Sequence, residues 1–576
     1  MTRLRESLAA GYESLAAAAD LLDRINVFPV ADGDTGTNLR VSLAPLRHLD
    51  KDAETLAHLL ARCATGNSGN IAAAFLREFC RAENTAELAD RAALGRTRAW
   101  QAIANPSSGT MLTVFDRLAE VLGRHAEVGI IYQPLSLALQ EAVRDTTKIL
   151  PDLQKAGVVD SGALAMYVFF DGFFRYLAGE VIPAQSIFDL FAGKLAVSRS
   201  YQPEATDSHC VDLVLQTRGQ RQSGEDRRDQ AGVKDDLARL GESVVVVEDE
   251  TLLKVHIHTP DPEGLRERLG DLGEIVGWSE TMIELGAMAA VEADSAKVPI
   301  HIVTDAAGSL TREMAKELGI TLLDSYIVIG DESRPESLYR PAEIYPRMRR
   351  GERITTAQAS TFERHQHYRN ILRQYGRSLY LSVGSAFTGN YGTAAAWQQG
   401  SDPEGLFTVI DTGAASGRLA LIALLTARRA KQAGSADEVI DFARQMTAAC
   451  LEYVFINELK YLVAGGRVSK ASGFFGDLFD MKPIISPTSE GVKKMGVVRS
   501  AKAQLAFATA KLQEQGGAAP TILLQHSDNV DWVSGPVRQH VKGLLPEAEV
   551  LLAPISLTSG VHMGPGTWSL AFAPRP

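Results

Sequence analysis

Basic residues are in short supply here. Against 59 Lys and Arg stand 70 Asp and Glu, a formal charge of −11 over 576 residues. No positive surplus is available to displace counterions from a phosphate backbone, which argues against nucleic acid as a partner. Cysteine is scarcer still. The four, Cys63, Cys80, Cys210 and Cys450, form no spaced framework, the usage of a reducing compartment and not of a stapled secreted protein. Long apolar runs are missing: the tight block from Leu419 to Leu425 is far too short to span a bilayer. The stretch "MTRLRESLAAGYESL" carries acidic residues where a signal peptide would be apolar. A cytoplasmic location is expected. Familiar catalytic signatures are absent too. There is no P-loop, G-x-G-x-x-G, H-E-x-x-H or G-x-S-x-G, and "AGKLAVS" lacks the Ser or Thr after its Lys.

What is present is ample core material, 45% apolar residues, in a chain too long for one core. Residues 1–195 read as helical. Leu4, Leu8, Leu15, Ala18, Leu22 and Ile25 recur at three- and four-residue steps, one buried helical face. Between such segments lie the loops "ADGDTGTN", "ATGNSGN", "NPSSGT" and "AGVVDSGA", which suits a helical bundle with glycine-rich loops at its ends. Residues 198–292 change texture. "HCVDLVLQT", "ESVVVVEDE" and "LLKVHIHT" are strand-like and "PEGLRERLGDLG" is helix-like, a small α+β module. "VEADSAK" reads as a linker. From 298 to 576 strands such as "VPIHIVTD", "GRSLYLSVG" and "LFTVIDTG" alternate with helices, the pattern of an α/β domain with a parallel sheet and ligands at its strand ends.

The chemistry concentrates in "NVFPVADGDTGTNL". Asp32 and Asp34 put two like charges into one turn with no basic residue nearby. A hard divalent cation accounts for such a pair, and Asn26 adds a further oxygen. Gly66, Asn67, Ser68 and Gly69 offer backbone N–H groups at a helix start, a phosphate cradle, and Gly109 with Thr110 open another helix similarly. Each loop taken singly is equally a turn or an N-cap. In "LLKVHIHT" the residues Lys254, His256 and His258 share one strand face. With Cys210 the two histidines make a zinc set, although solvent-facing histidines and a buried thiol fit the same letters.

These motifs, in order and spacing, resemble the Dak-type kinase family, which includes the ATP-binding proteins of bacterial dihydroxyacetone kinase and of fatty acid kinase. The resemblance implies an antiparallel helical barrel. It also implies ATP at one end, magnesium on Asp32 and Asp34, and a nucleotide ringed by Asn38, Gly66–Gly69, Gly109–Thr110, Asp160 and Gly162. Ala31, Thr65 and Ala163 stand where the family usually has Pro, Arg and Gly. "HCVDLVL" with "KVHIHT" resembles the middle domain of the fatty acid kinase ATP-binding protein, implying zinc on Cys210, His256 and His258 in a structural or interface role; His209 and Asp212 depart from the pattern. "IVTDAAGSL", "ITTAQAS", "SVGSAFTGNY", "VIDTGAASG", "LVAGGRVSK" and "HMGPG" resemble the DegV family of fatty-acid-binding proteins. That implies a buried lipid whose carboxylate meets Thr356, Thr388, Gly389, Arg467 and His562, with Ala357, Thr388 and Asn390 as departures. Taken singly, Arg467 would be a surface charge and His562 a loop histidine.

Together the resemblances imply a single-chain fatty acid kinase, with Asp32, Asp34, Arg467 and His562 as its catalytic residues. A homodimer is expected, as is a downstream acyltransferase that uses the acyl phosphate. The competing expectations are a nucleotide-regulated lipid sensor and a kinase of dihydroxyacetone-like polyols.

Overall fold

The recurrence at the amino end forms one long helix, α1 (Thr2–Arg24), with Leu4, Leu8, Leu15 and Leu22 buried along a single stripe. In the computed structural model it opens a helical set that α2 (Thr35–Leu43), α3 (Ala53–Cys63), α4 (Gly66–Phe79), α5 (Leu88–Ala102), α6 (Met111–Arg124), α7 (Tyr132–Ile149), α8 (Pro151–Ala156) and α9 (Ser161–Ala178) continue. Helices α1, α2, α4, α5, α6, α7 and α9 pack each on the next, and α9 returns to α1, so the row closes into a ring. Aromatic rings fill the interior. Phe75 stacks on Phe115 with centroids 4.1 Å apart, and Phe170 meets Phe75, Phe79 and Phe115 edge-on, geometries that add to simple area burial. Described residues are 2–124, 132–179, 186–198, 200–203, 207–216, 230–249, 252–270, 273–283, 298–330, 332–402, 404–465, 481–514 and 520–574. Both Arg467 and the 291–297 linker fall outside them.

The middle segment folds as an antiparallel four-stranded sheet: β1 (His209–Gln216), β2 (Glu242–Asp249), β3 (Leu252–Thr259) and β4 (Glu274–Met282), in the order β2-β3-β1-β4. Alternation decides its faces. Val211, Leu213, Val255 and Ile257 build the module's own core with Leu265 and Leu269 of the helix Pro262–Gly270. The even-numbered residues of β1 and β3 face the other way, toward α3 and α4. This sheet and the helical ring belong to one unit, Met1–Ser295; the rest of the chain, Ala296–Pro576, is a second.

Among the described residues that second unit has three sheets. Strands β5 (His301–Asp305), β6 (Ile320–Leu323), β10 (Ser378–Ser382) and β11 (Phe407–Asp411) are parallel, ordered β11-β10-β5-β6. This is the parallel sheet expected from the alternation. A three-stranded sheet, β8-β7-β9, joins β7 (Tyr326–Ile329), β8 (Glu332–Pro335) and β9 (Ile354–Ala357). A six-stranded sheet in the order β14-β13-β12-β17-β15-β16 was not foreseen: β12 (Leu451–Phe455), β13 (Lys482–Thr488), β14 (Gly491–Val498), β15 (Thr521–His526), β16 (Glu549–Pro554) and β17 (Trp568–Ala573). The last strand lies antiparallel between β12 and β15, a pairing that local alternation does not encode. Among the described residues no helix is long and apolar enough to cross a membrane.

Candidate functional site

Four loops of the helical ring meet at one end. Asn26, just past α1, donates from Nδ2 to Asp32 Oδ1 at 2.6 Å and accepts from the hydroxyl of Ser161 at 3.3 Å. Ser161 also reaches Thr35 Oγ1 at 3.2 Å, and Thr35 reaches Ser68 Oγ at 3.3 Å. Asp23 fastens the start of α2 by accepting from Thr37 N–H at 3.0 Å and its hydroxyl at 2.7 Å. Glycines allow the elements to close up. A Cβ on Gly66 would lie 2.0 Å from Asn38 Nδ2, one on Gly69 2.0 Å from Ser42 Oγ, and one on Gly162 2.8 Å from Met111 Cε. Met111 follows Thr110, so Gly109 and Thr110 join the cluster. Gly66 and Gly109 also have positive φ, +66° and +87°, which favours glycine.

The two aspartates differ from their neighbours. Asp34 is the residue before α2, yet its side chain caps no N–H. Burial, with the charge of Asp32 beside it, pushes its carboxyl up to about 7; burial raises that of Asp32 as well. Among the described residues no Lys or Arg is paired with either; Asn26, Asn38 and His256 are the side chains that favour their charge. Two buried like charges without a cation suit a divalent metal. Asp160, by contrast, does what a turn residue ordinarily does, since its Oδ1 accepts from Ala163 N–H at 2.7 Å as the N-cap of α9. Thr110 likewise donates to Ser107 O at 3.0 Å, and Gly109 N–H donates to Thr113 Oγ1 at 2.8 Å.

The sheet supplies the next layer. In the β1–β3 register Cys210 lies opposite His258 and Asp212 opposite His256. Ligand atoms of Cys210, His256 and His258 all lie within 4.8 Å of one another. His256 Nε2 and His258 Nδ1 are buried without a hydrogen-bond partner, the condition a metal ion relieves, so these residues fit zinc. Asp212 Oδ1 stands 3.3 Å from His256 Nδ1, the carboxylate–histidine arrangement that orients a ligating ring. Burial raises the Cys210 thiol, and Asp212, Asp34 and Asp32 raise it further. The centre is therefore within electrostatic reach of the acid pair, not remote from it. Asp212 also takes the N–H of Gly66 at 2.9 Å, so this amide, read from sequence as open to phosphate, already has a partner.

In the second unit Thr356, on β9, and His562, on the helix Leu557–Met563, share a hydrogen bond of 2.8 Å between Oγ1 and Nε2. A Cβ on Gly465 would sit 2.6 Å from His562 Nδ1, and one on Gly389 3.1 Å from Gln358 Oε1. The β9 end, the 388–389 turn and the His562 helix therefore converge, with Thr388 Oγ1 accepting from Asn390 N–H at 3.3 Å. Sequence reasoning gave no role to Asp305. It is fully buried at the end of β5 and accepts from Tyr380 OH at 2.8 Å, Val383 N–H at 2.8 Å and Asn390 Nδ2 at 2.8 Å, with Arg364 3.6 Å away. Its signal was a lone acid closing the apolar run "PIHIVTD". Asp212 was legible only as Cys-x-Asp matched to Lys-x-His-x-His on a paired strand.

Three family models match the chain in sequence order. The DAK2 domain covers residues 29–175, the FakA-like middle domain of fatty acid kinase 207–279, and the DegV family 299–575. Protein YloV of Bacillus subtilis (strain 168) is 27% identical over 353 residues, 55% of this chain and 63% of that protein. The uncharacterized protein SSP1546 of Staphylococcus saprophyticus is 31% identical over 298 residues, 47% of this chain and 53% of that one. This chain thus spans 63% and 53% of the length of these two curated relatives. Among solved structures, a fatty-acid-binding DegV family protein from Thermus thermophilus is 24% identical with a TM-score of 0.45, over 48% of this chain and 100% of that one. The Streptococcus pneumoniae fatty acid kinase (Fak) B3 protein loaded with linoleic acid is 15% identical, with a TM-score of 0.43, over 48% and 99%.

Proposed function

We propose that this chain, which carries a DAK2 domain, a FakA-like middle domain and a DegV-family domain in one polypeptide, is a fatty acid kinase. It transfers the γ-phosphoryl group of ATP to the carboxylate of a long-chain fatty acid. A carboxylate oxygen bonds to the γ-phosphorus, the bond from that phosphorus to the β,γ-bridging oxygen breaks, and acyl phosphate and ADP leave. A carboxylate is already ionised at neutral pH, so no general base is needed.

The observation that carries this reading is Asp34, a buried carboxylate beside Asp32 that neither caps its helix nor meets a Lys or Arg side chain among the described residues. Asp32 and Asp34 would hold magnesium, which neutralises charge on the β- and γ-phosphoryl oxygens when bound. Asn26 and Asn38 orient the pair, and Thr35, Ser68 and Ser161 offer hydroxyls to phosphate. Asn67, Gly69, Gly109, Thr110, Asp160 and Gly162 shape the surrounding loops. Cys210, His256 and His258 would hold zinc. In the second unit Thr356 and His562, with Thr388, Gly389 and Arg467, receive the acyl carboxylate. Burying the chain itself supplies about 0.8 kcal/mol per CH₂. A cytoplasmic homodimer handing acyl phosphate to an acyltransferase completes the proposal.

The test is ADP formation by purified protein with Mg-ATP, with and without a long-chain fatty acid. Turnover that requires the lipid, and acyl phosphate trapped by hydroxylamine, are expected. Lipid-independent turnover on dihydroxyacetone overturns the reading, and retained lipid with no turnover assigns the chain to nucleotide-regulated lipid sensing instead.

A further inference from the structure

The join of α3 to α4, residues 64–65 with the first turn of α4 at 66–69, is gripped at both ends by the neighbouring sheet. At the carboxyl end of α3 the buried ammonium of Lys254 donates to the carbonyl of Ala64 and, at 3.3 Å, to that of Arg62. At the amino end of α4 the carboxylate of Asp212 accepts from Gly66 N–H at 2.9 Å, Thr65 Oγ1 at 3.0 Å and Asn70 Nδ2 at 3.2 Å. A cation at a helix carboxyl end and an anion at an amino end each oppose the local dipole favourably. Both residues project from one face of the sheet, since Lys254 pairs with Val214 and His256 with Asp212 in the antiparallel register. The other face is spent on the module's own apolar core, so the contacts on the turn are polar and directional.

His256 closes the circuit. Its Nδ1 is 3.3 Å from Asp212 Oδ1, its Nε2 is buried without a hydrogen-bond partner, and the residue clusters with Cys210 and His258. One carboxylate therefore orients a ligating ring and fixes the start of α4 at once. We infer that Asp212 and Lys254 are positioning residues for the nucleotide loop, and that Asp212 links the set of this loop to the Cys210–His256–His258 centre, so that filling the centre tightens nucleotide binding. This rests on the proposed reading of residues 64–69 as a nucleotide loop and of the cluster as a zinc centre. A plain docking contact would lower stability when cut but would not make zinc and nucleotide interdependent.

The experiment is calorimetric titration of the full chain with Mg-ADP, before and after chelation, with zinc content measured by plasma mass spectrometry. Removing zinc from the wild type is expected to weaken Mg-ADP binding about tenfold, as is Asp212→Asn with zinc retained. Removing zinc from Asp212→Asn adds less than about twofold, because the link is already cut. Asp212→Glu restores the wild-type value. Lys254→Met touches no zinc ligand and so serves even where Asp212→Asn loses zinc or folds poorly; it weakens binding and speeds amide exchange over residues 64–70. Wild-type binding with both variants within about twofold of it, or full additivity of zinc removal and Asp212→Asn, overturns this inference alone. A wild type that takes up no Mg-ADP overturns the reading of the loop, and this inference with it.

Discussion

Buried acids are treated in opposite ways by the two units. Asp305 lies in the second unit with a hydroxyl, a backbone amide, a side-chain amide and a guanidinium all turned toward it. Asp32 and Asp34 lie in the first with little besides Asn26, Asn38 and each other. Desolvating a carboxylate is costly unless the surroundings repay it. Asp305 finds its partners inside the protein, although burial still raises its carboxyl, and so belongs to the framework at the end of β5. The acid pair has fewer partners inside the protein, which leaves it suited to a cation from outside. Satisfaction, more than burial, separates a structural acid from one kept for chemistry.

Substitution is the most direct way to break that contrast. Asp34→Asn removes a charge from the proposed metal site and should cut lipid-dependent ADP formation about a thousandfold, near 4 kcal/mol of barrier, while urea unfolding changes little. Asp305→Asn should do the reverse. Leaving Arg364 buried against a neutral partner costs about 3 kcal/mol of stability, read from the urea midpoint, with nucleotide binding unaffected. An unfolding midpoint that shifts equally in both variants would erase the distinction.

Glu452 sharpens the comparison, because its carboxyl meets the N–H groups of Gly417 and Arg418 at 3.0 Å each but no cation among the described residues. Burial pushes it up to about 7 from the ordinary 4.5. The folded protein thus holds this proton more tightly than the unfolded chain. Its stabilising contribution is fully present below pH 4.5 and is lost as pH rises through 7, about 3 kcal/mol in all. Glu452→Gln abolishes that slope, so its stability relative to wild type should improve between pH 5 and 8; parallel curves would refute the assignment. The smallest expected effect is at the proposed lipid site. Thr356→Val removes the hydrogen bond to His562 and should weaken retention of a long-chain acid about fivefold, near 1 kcal/mol, read by lipid extraction and competition.

Local pattern carried much of this molecule. The stripe of Leu4, Leu8, Leu15 and Leu22 predicted α1, and "VPIHIVTD", "GRSLYLSVG" and "LFTVIDTG" predicted the parallel strands β5, β10 and β11. Alternation in "LLKVHIHT" put Lys254, His256 and His258 on one face. The six-stranded sheet stayed hidden because β17 pairs with β12 and β15 across long stretches of chain. Asp212 stayed hidden because its partners, Thr65, Gly66 and Asn70, lie more than a hundred positions away.

By itself the sequence determined which residues carry charge in tight turns, which segments bury a face, and which small residues let backbones approach. Those properties follow from periodicity and steric size, and they act over a few residues. Only the tertiary structure decided what each acid meets: Asp160 a backbone amide, Asp305 a full set of donors, Asp212 a helix start and an imidazole, Asp34 no Lys or Arg among the described residues. A carboxylate's energy depends on everything within a few ångströms of it, and folding, not spacing along the chain, sets those neighbours.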